Sequence, residues 1–205
     1  MAEIFRNRAR AESFGSDAAR YDATRPSYPA ALISWLGSDG VGKAVDVGCG
    51  TGQVARLLAE AGWDVVGVEV DERMARVARS HGLRVDVSRF ERWEPMTADV
   101  DLICSGQAWP WIDPEVGCRH AARLLRAGGR LAVFWNAYRY DAAVRAAFHE
   151  VMGRLAPDLL VDSVLFGTSD PDHSAGDIAA FEGTASFAAP ELRTFEHERV
   201  HTVAS

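Results

Sequence analysis

Lysine is almost missing from this chain. Lys43 is the single lysine among 22 basic residues, and the rest are arginines. A short-chain dehydrogenase moves protons through a Tyr-x-x-x-Lys pair, so that class is excluded. Cysteine is scarce too: Cys49, Cys104 and Cys118 are far apart and lack CxxC spacing. That pattern argues against a disulfide framework and against a four-thiolate zinc site. No apolar run is long enough to span a membrane. The segment MAEIFRNRARAESFG has no apolar h-region, and Glu3 and Glu12 sit among its arginines. Neither a secretory signal nor a transit peptide is expected, and a cytoplasmic location is. An excess of positive charge is also lacking. With 22 basic against 29 acidic residues, the net charge is −7. No nucleic-acid or membrane partner is expected of such a chain.

What is present suits one soluble domain. The chain has 205 residues, 48% hydrophobic and 25% charged, which is long enough to bury a core. Apolar strand-like runs alternate with helix-period segments. Residues 44–48, 64–70, 83–87, 99–104 and 130–135 read as strands. Residues 52–61, 71–81, 113–127 and 141–155 read as helices. Asp113-Pro114-Glu115 combines a capping residue, a first-turn proline and an acid at the positive dipole end. This alternation predicts an α/β fold with a mostly parallel sheet. Residues 1–36 form a helical cap, 37–137 the core, and 138–205 a helical and loop segment with a last strand within 185–203.

The most informative stretch is Asp46-Val47-Gly48-Cys49-Gly50-Thr51-Gly52-Gln53. It leaves a strand and opens a helix, where glycines let a backbone approach a nucleotide-like ligand. Glu69 closes the next strand, where a carboxylate accepts hydrogen bonds from ribose hydroxyls. Asp46 places a carboxylate inside a buried strand, which requires a partner. A dinucleotide fingerprint would need glycine at Gln53. Gly37-x4-Gly42-Lys43 imitates a P-loop, but Ala44 stands at the Ser/Thr position and the segment precedes a strand. The histidines show no metal spacing. On a strand, His197 and His201 would stand about 13 Å apart, and no metal is expected.

Together these motifs resemble the class I S-adenosylmethionine (SAM)-dependent methyltransferases. Val45-Asp46-Val47-Gly48-Cys49-Gly50-Thr51-Gly52 is similar to their first motif, and Val68-Glu69-Val70-Asp71 to their second. The segment Tyr21-Asp22-Ala23-Thr24-Arg25-Pro26-Ser27-Tyr28-Pro29 resembles the start of the small-molecule, trans-aconitate-like branch. The resemblance implies a Rossmann-like, doubly wound sheet with SAM as cofactor and a small molecule as methyl acceptor. It assigns Asp46, Gly48, Cys49, Gly50, Thr51, Gly52 and Gln53 to the methionine end of SAM and Glu69 to the ribose. Val70, Met74, Phe90, Glu91, Gly106 and Gln107 complete its cofactor site. Tyr21, Arg25, Tyr28, Trp109 and Trp111 are expected to line the acceptor pocket, with Arg25 pairing an acidic acceptor.

Two departures from the family follow. Pro110 stands between Trp109 and Trp111 where the family often has histidine, so no catalytic base is assigned. The family's seventh strand has no counterpart. An unpaired edge beside the fifth strand implies a truncated chain, an edge covered by a second copy, or a strand beyond the six read here; the alternative function is a self-associating SAM-binding protein with little or no catalysis.

Overall fold

The computed structural model describes residues 14–95, 99–137, 142–155 and 186–198. Two compact units divide the chain, Met1–Trp135 with Thr184–Ser205, and Asn136–Gly183. In the first unit, α1 (Ala18–Thr24) and α2 (Ala30–Leu36) precede a β/α alternation. It runs β1 (Lys43–Val47), α3 (Gln53–Glu60), β2 (Asp64–Glu69), α4 (Glu72–Ser80) and β3 (Arg84–Val87). Then follow β4 (Val100–Gly106), α5 (Pro114–Leu124) and β5 (Leu125–Phe134). In the second unit, α6 (Ala142–Leu155) is the described helix.

All pairings are parallel, and the strand order is β3-β2-β1-β4-β5. This is the doubly wound, Rossmann-like parallel sheet that the sequence predicts. The order reverses between β1 and β4, and ligands of open α/β sheets bind outside the strand ends at such a reversal. β1 sits in the centre, and Ala44, Val45, Asp46 and Val47 are all buried, as expected of a strand covered on both faces. Leu32, Ile33 and Leu36 from α2 join Val54, Ala55 and Leu58 from α3 around Leu102 and Cys104. Asp113 caps α5 by accepting from the N–H groups of Glu115 and Val116 at 3.1 and 3.0 Å.

The last strand expected within 185–203 is not seen over the residues described there. Residues 186–198 contain no strand, and 199–203 lie outside the described residues. Side-chain anchoring replaces sheet pairing there. The Phe195 ring packs 5.9 Å from that of Trp35, and the Arg193 guanidinium sits 5.2 Å from the same ring centroid. Among the described residues β5 is an edge of the sheet, and no helix is long and apolar enough to cross a membrane.

Candidate functional site

The turn from β1 into α3 is built of left-handed glycines. Gly48, Gly50 and Gly52 have φ of 65°, 56° and 87°. At two of them there is also no room for a side chain. A Cβ on Gly48 would lie 2.4 Å from the Ala108 Cβ, and one on Gly52 would lie 2.3 Å from the Leu83 Cδ1. The N–H groups of Gly48 and Cys49 both donate to the Val68 carbonyl, at 2.8 and 3.2 Å. Thr51 is buried inside the turn, and its hydroxyl has no partner among the described residues.

Glu69 ends β2 and faces this turn. Its Oε2 accepts from the Gly50 N–H at 2.8 Å and its Oε1 from the Asp71 N–H at 2.9 Å. Burial raises its pKa, while the N–H groups of Asp71, Gly50 and Val70 oppose the rise. Asp71 then caps α4 by accepting from the Arg73 N–H at 2.9 Å. Behind the turn, Met74 brings its terminal methyl to 3.5 Å from where a Gly50 Cβ would be. Val70 is half-buried between Glu69 and the Asp71 cap.

Asp46 is 1% exposed within the central strand. Its Oδ2 accepts from the Ala55 N–H at 3.1 Å, in the first turn of α3. The Cys104 thiol lies 3.8 Å from its Oδ1. Burial pushes its pKa up to about 7; the Ala55 N–H opposes this and the Glu69 charge adds to it. The buried Cys49 and Cys104 thiols are pushed well above their ordinary value by the same desolvation, so both stay protonated.

Across the strand-order reversal, β4 ends at Gly106. Ser105 donates to the Val47 carbonyl at 2.9 Å and locks β4 to β1. Gln107 is left-handed at φ 64°, and its N–H donates to the Phe134 carbonyl at 2.9 Å. A short 3-10 turn, Trp109–Trp111, follows. Trp109 is buried with its ring 6.1 Å from that of Phe90, beneath the loop, whereas Trp111 is half-buried. Phe90 is itself buried, and Glu91 accepts from the Asp113 N–H at 3.2 Å through Oε1.

The N-terminal cap docks on the same end of the sheet. Asp22 pairs with Arg56 at 3.3 Å and with His81 at 3.1 Å, and its carbonyl accepts from the Gln53 side chain at 3.4 Å. The Arg25 guanidinium lies 4.6 Å from the Tyr21 ring centroid. Tyr28 stacks edge-on to Phe134 at 5.0 Å, and its hydroxyl sits 2.6 Å from where a Gly106 Cβ would be. Burial, with the Asp46 charge second, raises the pKa of the Tyr28 phenol, so it is a hydrogen-bond donor and not a base. Arg25, Ser27 and Tyr28 line a cavity of about 260 Å³ together with His197 and Glu198.

The glycine turn, Glu69, Asp46, the β4 loop and Tyr28 therefore gather at one end of the sheet. His197 and Glu198 were not legible as cavity residues, because nothing in a polar stretch states which surface it will lie on. Asp22 belongs to the Tyr21–Pro29 motif, but its pairing with Arg56 and His81 depends on tertiary packing that the motif does not encode. Among the described residues, no group of three or more His, Cys, Asp or Glu could hold a metal ion.

Residues 45–133 match the family model of a methyltransferase domain. The chain is 37% identical over 145 residues to an uncharacterized methyltransferase of Mycobacterium tuberculosis H37Rv, covering 69% of this chain and 59% of that one. It is 30% identical over 129 residues to trans-aconitate 2-methyltransferase of Mycobacterium sp. strain KMS, covering 61% of this chain and 48% of that protein. A solved structure described as a candidate type II methyltransferase from Anaeromyxobacter dehalogenans has 34% identity and a TM-score of 0.57. That likeness covers 65% of this chain and 59% of the other. A Methanococcus maripaludis structure at 18% identity, with a TM-score of 0.56 over 89% of this chain and 87% of its own, shares the fold. The chain thus spans 59% of the length of the first mycobacterial relatives. In sequence and in fold, residues 45–133 form a methyltransferase domain similar to those of the class I SAM-dependent methyltransferases.

Proposed function

We propose that this protein methylates an oxygen of a small acidic molecule, using SAM. The observation that carries the reading is the left-handed glycine turn bonded to Glu69. Its residues fit the cofactor. Gly48, Gly50 and Gly52 present bare backbone, and the buried Thr51 hydroxyl has no partner among the described residues. Each Glu69 oxygen accepts one N–H, and a carboxylate offers about four lone-pair sites, so acceptors remain for two ribose hydroxyls. Residues 48–53 would hold the methionine end of SAM, Glu69 the ribose, and the Phe90–Glu91 turn the base. When bound, SAM supplies an electrophilic methyl: the acceptor oxygen's lone pair forms the new C–O bond while the C–S pair returns to sulfur.

The chain's own residues then have to align the acceptor and exclude water, and such alignment is worth up to roughly 7–11 kcal/mol. Arg25 in the cavity wall supplies a permanent positive charge for a carboxylate. Tyr28 lies between that cavity and Gly106 and would donate a hydrogen bond. A carboxylate needs no base, whereas a hydroxyl or phenol does, and His197 is the imidazole in the cavity wall.

The test is SAM binding by calorimetry, followed by turnover on carboxylic acids, beginning with trans-aconitate, and on phenols. Carboxylate methylation that survives His197→Ala but fails in Arg25→Ala supports the reading. Absence of SAM binding would sink it. Turnover confined to phenols and lost in His197→Ala would move the acceptor class to hydroxyls.

A further inference from the structure

Gln107 stands where the loops after β1 and β4 meet, at the reversal of the strand order. Its φ of 64° is in the region that favours glycine. Asn and Asp tolerate that region through local side-chain bonds to the backbone, but the longer glutamine gains little from them. Its neighbours leave no freedom to relax. On one side, Gly106 is pressed by the Tyr28 hydroxyl and the Phe134 ring, 2.6 and 3.0 Å from its would-be Cβ. On the other, Ala108 fills the space that Gly48 leaves open. The Gln107 N–H is fixed on the Phe134 carbonyl at 2.9 Å. Packing therefore over-determines this conformation, and strain retained in that way marks a functional position. A glycine would remove the strain, so a side chain kept here has a use. The Gln107 carboxamide makes no hydrogen bond among the described residues, although the residue is half-buried.

We propose that the side chain of Gln107, a residue the family resemblance assigns to the cofactor, instead selects and orients the methyl acceptor, its amide NH2 donating to a carboxylate oxygen of the bound acid. The assignment rests on the methyltransferase reading above. A carboxamide does not titrate, so its part is binding and alignment and not proton transfer. It lies one residue beyond Gly106, against which Tyr28 packs, and hence next to the second neutral donor of that strand end.

The experiment compares Gln107→Gly, Gln107→Ala and Gln107→Glu with the wild type. Thermal unfolding, SAM affinity by calorimetry, and steady-state kinetics are measured with trans-aconitate, a panel of other carboxylic acids, and phenols. Gln107→Gly should unfold at a higher temperature than the wild type and bind SAM within twofold. It should lose at least tenfold in kcat/KM on the best carboxylate, mostly through KM. Gln107→Ala should lose the same activity without the gain in stability. Gln107→Glu should be worse than either on carboxylates, because it sets a second anion against the substrate. Wild-type kcat/KM in Gln107→Gly would overturn the assignment while leaving the methyltransferase reading intact. A tenfold loss of SAM affinity in Gln107→Gly would also overturn it, by placing the residue at the cofactor. A wild type that binds SAM and methylates no member of the panel would overturn both.

Discussion

The Gly50 N–H donates to Glu69 Oε2 at 2.8 Å, which makes the glycine turn and the acid of the next strand one unit. Changing Glu69 therefore acts twice, removing the ribose acceptor and freeing the turn that cradles the rest of the cofactor. Hydrogen bonds to a charged group are worth about 1.5–3 kcal/mol each, so Glu69→Ala should weaken SAM binding by roughly 100-fold or more. Glu69→Gln should be nearly as damaging, because its NH2 must oppose one of the two N–H donors, Gly50 or Asp71. Calorimetry measures both, and unchanged affinity in either would remove Glu69 from the site.

Much of this was legible because the signals are local. Three alternate glycines after an apolar strand state a backbone conformation, and Gly48, Gly50 and Gly52 adopt it. The buried carboxylate at Asp46 called for a partner, and the Ala55 N–H provides it. Relationships set by distant packing were not legible. Trp109 and Trp111 look alike in sequence, yet Trp109 is buried against Phe90 while Trp111 stays half-buried. Phe195 fits a strand pattern, but the Trp35 ring, far away in sequence, anchors it without one.

Asp46 should make stability depend on pH. Its carboxyl titrates near 7 in the folded chain, raised from 3.8, so between those values the folded state holds a proton that the unfolded state has released. This stabilisation is present in full below pH ~4. It is lost as pH rises through 7, at up to about 1.4 kcal/mol per unit from this group. The raised Glu69 acts with the same sign. In Asp46→Asn, the amide oxygen still accepts from the Ala55 N–H and nothing titrates. Urea unfolding from pH 5 to 8 should show a falling stability for the wild type and a much flatter profile for the variant. Parallel profiles would mean that Asp46 is ionised throughout.

Gly48 and Ala108 join the loops of β1 and β4 through a close approach, and a double-mutant cycle can read it. Gly48→Ala incurs two costs. A left-handed alanine is worth about 1–2 kcal/mol, and its Cβ would meet the Ala108 Cβ at 2.4 Å. Ala108→Gly removes the clash and leaves the strain. The double variant should recover part of the lost stability, with a coupling of roughly 1 kcal/mol or more. Strict additivity in denaturant unfolding would show that the loops adjust independently.

Asp22 holds the cap in place. It reaches Arg56 on α3 and His81 just past α4, so one side chain of α1 spans the two helices that flank the glycine turn. Both pairs are partly exposed, and exposed pairs are individually worth about 0.2–1 kcal/mol. Asp22→Ala should therefore lower global stability by no more than roughly 1–2 kcal/mol. Its larger effect should be local. With the clamp gone, the weaker 3.4 Å bond from Gln53 to the Asp22 carbonyl remains between the helix and the turn. Amide exchange across Ala18–Thr24 should then accelerate well beyond the global change, and SAM should dissociate several-fold faster with little change in its association rate. Raising the salt concentration should shift the wild type towards the variant, because these charges are screened over about 8–10 Å at moderate ionic strength. If exchange in α1 is unchanged in Asp22→Ala, the cap is held by packing of Tyr21 and Tyr28 and not by the acid.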